Sequence, residues 1–408
     1  MISRFIPLFL LGLVLVLAAG CMQPAAEQQN IPKTTTVAMA SPFPPVPVES
    51  QNGVNIAYEL ELRVPDGMTV MPESIEVTDP ATGKTLYSAD GDLLAVLYHP
   101  ASVPPPTASD LENGTGKVPV PRISLWFVVP PGSVPDRLSH RLVLNVTGTA
   151  GSFSTTVTGG LVTVRKDLAP VVVGAPVSGP GWLAMETTSP FTHHFKAQIT
   201  MNGTTRVPQR YAQDWVLVDP ATGRLASGDA AIARNYFGFG REILAVGNGT
   251  VTDAFDGLPD IPTIYSAPPA TLATAAGNYV ILDLGDGKYA CYAHMVNGSV
   301  RVKKGDVVTA GQVIGLMGNS GNSDIPHLHF QVVTDRSTFL GSEGYPHVYR
   351  TFDVIGMVNQ TLAEERLSEP GYSPGRLMAE FDHYVIFIKD PVRQQNRLPE
   401  NNVIVRFP

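Results

Sequence analysis

"IPHLHFQVV", Ile325–Val333, places two of the chain's nine histidines on alternate positions of a run of Leu, Phe and Val. Side chains alternate faces along a strand, so His327 and His329 are expected to point one way and Leu328 and Phe330 the other. Two readings follow. The histidines are polar residues on the wet face of an amphipathic strand, or they belong to a metal or catalytic site. The surrounding chain decides between them.

Just upstream, "GNYVILDLGDGKYACYAHM" reads as a hairpin turned by Asp286-Gly287, a pair that tolerates the positive φ of a tight turn. Alternation along "KYACYAHM" puts Ala290, Tyr292 and His294 on one face. "REILAVGNGTVTDAF" reads as another hairpin, and "VRVKKGDVVTAGQVIGLMGNSGNS" as short strands punctuated by glycine. Further back, "FTHHFKAQ" supplies His193 and His194, and "QRYAQDWVLVD" supplies Asp214 within a mostly apolar run. A carboxylate in such a run needs a partner, because burying it alone is costly. Two histidines and one carboxylate, with a fourth position open, make a hydrolytic zinc site. Cys291 reads as a core residue, and His99, His140, His347 and His383 carry no assignment.

Composition sets the frame. Of 408 residues, only 16% are charged, while Gly (38) and Pro (36) are abundant. With many Val and Thr in short runs, this is an all-β chain long enough for more than one domain. A net charge of −8 without a Lys/Arg cluster argues against nucleic acid as a partner. Asn-x-Ser/Thr sequons at Asn113, Asn145, Asn202, Asn248, Asn297 and Asn359 identify nothing by themselves.

Arg4 precedes an apolar run, Phe5–Ala19, that ends in "LAAGC". This is the layout of a secretory signal over residues 1–20. The small residues before Cys21 resemble a bacterial-type lipobox, which implies a lipidated Cys21 and a membrane anchor for an exported protein. Ala18 departs from that pattern, with Leu17 one place early. With Cys21 acylated, Cys291 has no disulfide partner and the fold relies on its core. Residues 21–46 are rich in Pro, Ala, Thr and Gln and read as a disordered tether. Residues 47–167 hold short alternating runs, "NIAYELELRV", "RISLWFVV" and "HRLVLNVTG", expected to form an immunoglobulin-like β-sandwich. The Pro/Gly-rich crossing Lys166–Trp182 marks a boundary, and residues 171–408 form the histidine-bearing domain with a C-terminal extension. Residues 258–276 read as a surface loop at the cleft rim.

From about residue 171 the chain resembles the lysostaphin-type (LytM-domain) zinc endopeptidases. "EILAVGNGTV", "YAHM", "VKKGDVVTAGQVIGLMGNSGNS" and "PHLHFQV" match that family's entry hairpin, Tyr-Ala-His-Leu segment, glycine-punctuated stretch and Pro-His-Leu-His-Phe-Glu-Val motif. A biotinyl or lipoyl carrier hairpin is the rival for part of this stretch. It needs a modified lysine at its tip, and none follows Lys304 within the motif.

The resemblance implies a lysostaphin-like antiparallel sheet and a single Zn2+. It implies His329 and Asp214 as ligands, His327 as general base and His294 as the histidine that hydrogen-bonds the oxyanion. The commonest family form has a first histidine ligand four residues before the aspartate. That position is Arg210 here, and a guanidinium cannot ligate zinc. Members with a His-x-x-Ala segment well before "QR-[FY]-A-x-D-[FW]" are similar to "HFKA" and "QRYAQDW" here, which makes His194 the expected ligand and His193 the second choice. As adjacent strand residues, only one of the two is expected to reach the metal. The expected function is a membrane-anchored endopeptidase on peptide cross-links of cell-wall peptidoglycan. The alternative is an inactive module of this type that binds wall or activates another hydrolase.

Overall fold

The computed structural model describes residues 37–149, 151–334 and 338–408. The signal segment, Cys21 and most of the expected tether lie outside them. The fold is mostly β-strand, as composition predicts. Among the described residues, no helix is long and apolar enough to cross a membrane. The last residues of the expected tether are part of the fold. Ala38–Ala40 is a strand paired with Glu61–Arg63, and Val37 and Val46 are buried.

Residues 38–163 make two antiparallel sheets. One orders Ala38–Ala40, Val54–Arg63, Arg122–Val129 and Tyr98–His99. The other orders Thr85–Asp90, Thr69–Thr78, Arg137–Gly148 and Gly151–Thr163. Ile56, Tyr58, Leu60, Ile123 and Leu125 from the first share a core with Ile75, Val77, Leu142 and Leu144 from the second. Alternation then turns Ala57, Glu59, Glu61, Arg122, Ser124 and Trp126 to the opposite face of the first sheet. That face reads as solvated, yet Glu59 is 1% and Trp126 4% exposed, because residues 195–211 cover it.

His140, unassigned from sequence, is structural. Its Nδ1–H donates to Gly160 O (2.8 Å) and its Nε2 accepts from Tyr58 Oη–H (2.7 Å). Burial pushes it down to about 4. An unfolded histidine titrates near 6.5. Between those values only the unfolded chain takes the proton, so stability present above about pH 6.5 is lost as pH falls toward 4. Urea unfolding at pH 7 and pH 4.5 will show wild type losing about 2–3 kcal/mol more than His140→Asn. Equal losses in both would remove this account.

The histidine sheet has twelve strands. Edge to edge its main path runs Val171–Val173, His347–Val358, Val403–Phe407, Gly179–Met185, Gln213–Leu217, Leu328–Thr334, Lys288–Met295, Asn278–Gly285, Gly249–Phe255 and Val307–Val308. The C-terminal strand therefore sits inside the sheet. Leu328, Phe330, Val332, Tyr292, Ala290 and Trp215 pack one face into the core. The Asp286-Gly287 turn closes its hairpin as expected, with φ of 51° and 64°. "REILAVGNGTVTDAF" is not a hairpin. Glu242–Leu244 pairs with Val313–Leu316, whereas Gly249–Phe255 pairs with Asn278–Gly285 and Val307–Val308. The glycine-rich link lets the chain change sheets, which the local pattern does not reveal.

Candidate metal centre

Register builds the site. Asp214 pairs directly with His329, and Ala293 with His329 from the other side. Cross-strand partners share a face, so the Asp214 and His329 side chains meet away from the core, with His329 Nδ1 2.9 Å from Asp214 Oδ1. His327 lies on the same face by the expected alternation, its Nε2 3.4 Å from that oxygen.

His294 reaches the site by breaking the alternation. Ala290 and Tyr292 face the core, so a regular strand would send His294 there too. Instead His294 has φ of 63°, a left-handed conformation uncommon for any residue but glycine. Its ring centroid comes to 4.6 Å from that of His327 and 6.0 Å from that of His329. The expectation that His294 shares the face of Tyr292 is thus corrected. Cys291 pairs with Gln331 on the histidine side of the sheet but is buried with Ile281 and Val333 as a core residue, and burial pushes its thiol up.

The backbone of His294 is pinned from both sides. Its N–H donates to Ala276 O (2.9 Å) and its carbonyl accepts from Gly318 (3.0 Å). Ala276 closes the 258–276 loop, whose Ile261 and Tyr265 also bond to Asn319 and Asp324, so this largely exposed loop lies against the site as expected. Gly277, at φ of 64°, has no room for a Cβ. One would stand 2.4 Å from Ser320 O, the carbonyl that orients His294.

His193 and His194 lie on a single helical turn, His193–Lys196, capped by the Thr192 side chain, and not on a strand. They are therefore not opposite-facing strand neighbours, and both offer a nitrogen within 4.8 Å of an Asp214 oxygen. His193 is exposed, with Nδ1 3.0 Å from Glu186 Oε2. His194 is 1% exposed, its Nδ1–H donates to Glu186 O (2.8 Å), and its ring lies 4.7 Å from that of His329. Its Nε2 stands 3.4 Å from Asp214 Oδ2 with no hydrogen-bond partner.

The hydrogen bonds fix every tautomer at the centre. His294 Nδ1–H donates to Ser320 O (2.7 Å), His327 Nδ1–H to Ile325 O (2.7 Å), and His194 Nδ1–H to Glu186 O. His329 turns the other way. Gln331 Nε2–H donates to Phe339 O, so Gln331 Oε1 accepts from His329 Nε2–H (2.8 Å). All four imidazoles donate outward through one nitrogen and turn the other inward, toward a carboxylate that can only accept. With Nε2–H given to Gln331, the 2.9 Å between His329 Nδ1 and Asp214 Oδ1 is closed by a positive charge, either a proton on Nδ1 or a metal ion. His194, Asp214 and His193 offer ligand atoms within 4.8 Å of one another, as do His294, His327 and His329. Imidazole nitrogen and carboxylate oxygen are the kinds of donor that zinc takes.

Burial raises the Asp214 carboxyl, but positive charge on the His194 and His327 imidazoles outweighs it and holds it well below the usual carboxylate range. Burial, then repulsion from His327 and His329, pushes His294 far down. His329 is lowered by burial against the pull of Asp214.

Arg210 faces away from this centre. Its guanidinium holds Glu59 with two bonds of 2.6 Å and bonds Glu343 through Nε (3.1 Å) and Nη2. Sequence reading missed the partners Glu59 and Glu343, as it missed Gln331, Glu186 and Ser320, since two of these act through backbone carbonyls that any residue carries.

A buried aspartate ringed by inward-facing imidazole acceptors defines a metallohydrolase-type centre. Residues 236–339 match the model of Peptidase family M23, and the chain carries a lysostaphin-type M23 domain. The match holds His294, His327 and His329, while His194 and Asp214 precede it. The chain is similar to the peptidoglycan DD-endopeptidase ShyA of Vibrio cholerae, 43% identical over 58 residues, which are 14% of this chain and 13% of that protein. It is 42% identical over 79 residues to the glycyl-glycine endopeptidase ALE-1 of Staphylococcus capitis, covering 17% of this chain and 21% of ALE-1. The chain thus spans about a fifth or less of these relatives. Among solved structures, the lysostaphin catalytic domain of Staphylococcus simulans aligns at 21% identity and a TM-score of 0.22, over 41% of this chain and 84% of that one. The M23 metalloprotease pseudoalterin aligns at 14% and 0.26, over 56% and 96%.

Proposed function

We propose that the chain is a zinc-dependent endopeptidase, exported and anchored through Cys21, that cleaves peptide cross-links of cell-wall peptidoglycan. The observation that carries this reading is the ring of imidazole nitrogens turned inward around Asp214. The N-terminal signal pattern supports export, and relatives named for peptidoglycan and glycyl-glycine cleavage support the substrate.

His194 Nε2, Asp214 and His329 Nδ1 are the proposed ligands. Zinc, when bound, polarises a scissile carbonyl and makes water a nucleophile near neutral pH. Gln331 and Glu186 keep the ligand nitrogens of His329 and His194 unprotonated and aimed. His327 Nε2, bare because Nδ1 is tied to Ile325 O, takes the proton from the attacking water and returns it to the leaving amine. His294 presents the same kind of bare nitrogen. It first accepts a hydrogen bond from the water, and it donates to a developing oxyanion only once Nε2 has gained a proton. The role expected of His294 is thereby made conditional on a proton.

The test is the zinc content of the soluble chain from residue 22 onward by elemental analysis, with His194→Ala beside it, and release of peptide fragments from purified peptidoglycan. About one zinc per wild-type chain, lost in the variant with fragment release, is expected. A folded wild type without zinc would turn the reading toward a wall-binding module. Zinc retained by His194→Ala would move the first ligand to His193.

A further inference from the structure

We propose that the outer face of the first N-terminal sheet is a working part of the metal centre, with Trp126 and Glu59 positioning the ligand His194. This rests on the metal-centre reading above. The segment that carries His194 has its main anchors on the outer face of the first N-terminal sheet, over 60 residues earlier in the chain.

Phe195, the neighbour of His194, is fully buried, and its ring stands edge-on to Trp126 at 5.2 Å and 83°. Tyr211, three residues before Asp214, tilts against the same indole at 5.6 Å. Trp126 is itself fixed, its Nε1–H donating to Asn55 Oδ1 (2.8 Å). Arg210 lies over the Phe195 ring at 5.9 Å while its guanidinium clasps Glu59. Arg122 donates to Thr205 O (3.1 Å), and Thr115 and Thr200 exchange two backbone bonds. The residues at both ends of the metal-binding segment are thus gripped by the N-terminal sheet.

The grip has a chemical reason. His194 sits on one helical turn, too short to hold its own orientation, and its Nε2 must face Asp214 for a three-ligand site to exist. Asp214 and His329 are fixed by strand pairing and need no such help. His194 does, and Val348, Leu398 and the Glu186 carbonyl are its supports from the other side. The same geometry explains Arg210. With the first ligand supplied from position 194, position 210 is free to lock the two parts of the chain together.

The test measures zinc affinity of the full chain by competition with a chromophoric chelator, with a thermal melt of each protein to confirm folding. Trp126→Ala is expected to weaken zinc binding about 10- to 100-fold, the range for supports one shell beyond a ligand, and Trp126→Phe to stay near wild type. Leu142→Ala, in the core between the two N-terminal sheets and away from this face, is expected to lower the melting temperature and leave zinc affinity unchanged. If Trp126→Ala does not fold, Trp126→Leu keeps an apolar side chain and reads the same loss. Wild-type affinity in a folded Trp126 variant, or equal weakening in Leu142→Ala, overturns the inference while the metal reading stands. A wild type that binds no zinc overturns the metal reading, and this inference with it.

Discussion

Asp214→Ala will yield a folded chain that binds no zinc and releases no peptide. Asp214 is the hub of the centre, with Oδ1 at 2.9 Å from His329 Nδ1 and 3.4 Å from His327 Nε2, and Oδ2 at 3.4 Å from His194 Nε2. It brings the only negative charge among the proposed ligands. Without it, two neutral ligand nitrogens and a methyl group remain, and a dication loses its strongest attraction. Several kcal/mol of transition-state stabilisation go with the metal, roughly a 10³-fold or greater loss of rate. The fold is spared, since the strand pairing of Gln213–Leu217 is backbone and the freed imidazoles keep their outward bonds to Glu186, Ser320, Ile325 and Gln331. Elemental analysis and a thermal melt check both halves. A variant that keeps one zinc would remove Asp214 from the ligand set.

What the sequence reveals here follows from how each feature is encoded. Alternation in "IPHLHFQVV" announces the strand and its two faces, and Phe330 and Leu328 go to the core as it says. The Asp286-Gly287 turn is legible because few pairs accept two positive φ values. His294 breaks the rule. Its face is set by one left-handed residue and two backbone bonds, to Ala276 and Gly318, and no period in the sequence marks them. The helical turn at His193–Lys196 is invisible for a related reason. Four residues are too few to show a period, and the turn is held by Thr192 and by Trp126 across the chain. Glu59 is the sharpest case. In "NIAYELELR" it occupies a polar position of an alternating strand and reads as solvated, although it is buried beneath Arg210. Burial on a second face is decided by what the rest of the chain brings to it.

Arg210→Ala will destabilise the fold by about 3–5 kcal/mol, the cost of leaving buried charges unpaired. Arg210 is 3% exposed and sits between two carboxylates, Glu59 at 1% and Glu343 at 4%. The two acids and one base leave a net negative charge in a dry place. Burial raises Glu343 to about 7 even with Arg210 drawing it down. A carboxyl whose folded value is raised contributes most below its unfolded value, near 4.3, and loses that contribution as pH climbs through 7. Without Arg210 the opposing pull disappears and Glu343 resists ionisation more strongly. The difference between wild type and Arg210→Ala should therefore be largest near pH 8 and shrink toward pH 5, where the variant can hold a proton on Glu343. Denaturant unfolding at the two values measures it, and a deficit independent of pH would show that packing over Phe195, and not charge, is what Arg210 supplies. Arg210→Lys will not rescue, because one ammonium cannot replace a fork that holds Glu59 through two nitrogens and reaches Glu343 as well. The triple change Arg210→Met, Glu59→Gln, Glu343→Gln should recover most of the loss, since an apolar or neutral replacement of a whole buried ion cluster is often close to neutral. In that case the ion cluster sets which surfaces meet, and the apolar contacts of Trp126, Phe195 and Tyr211 hold them together.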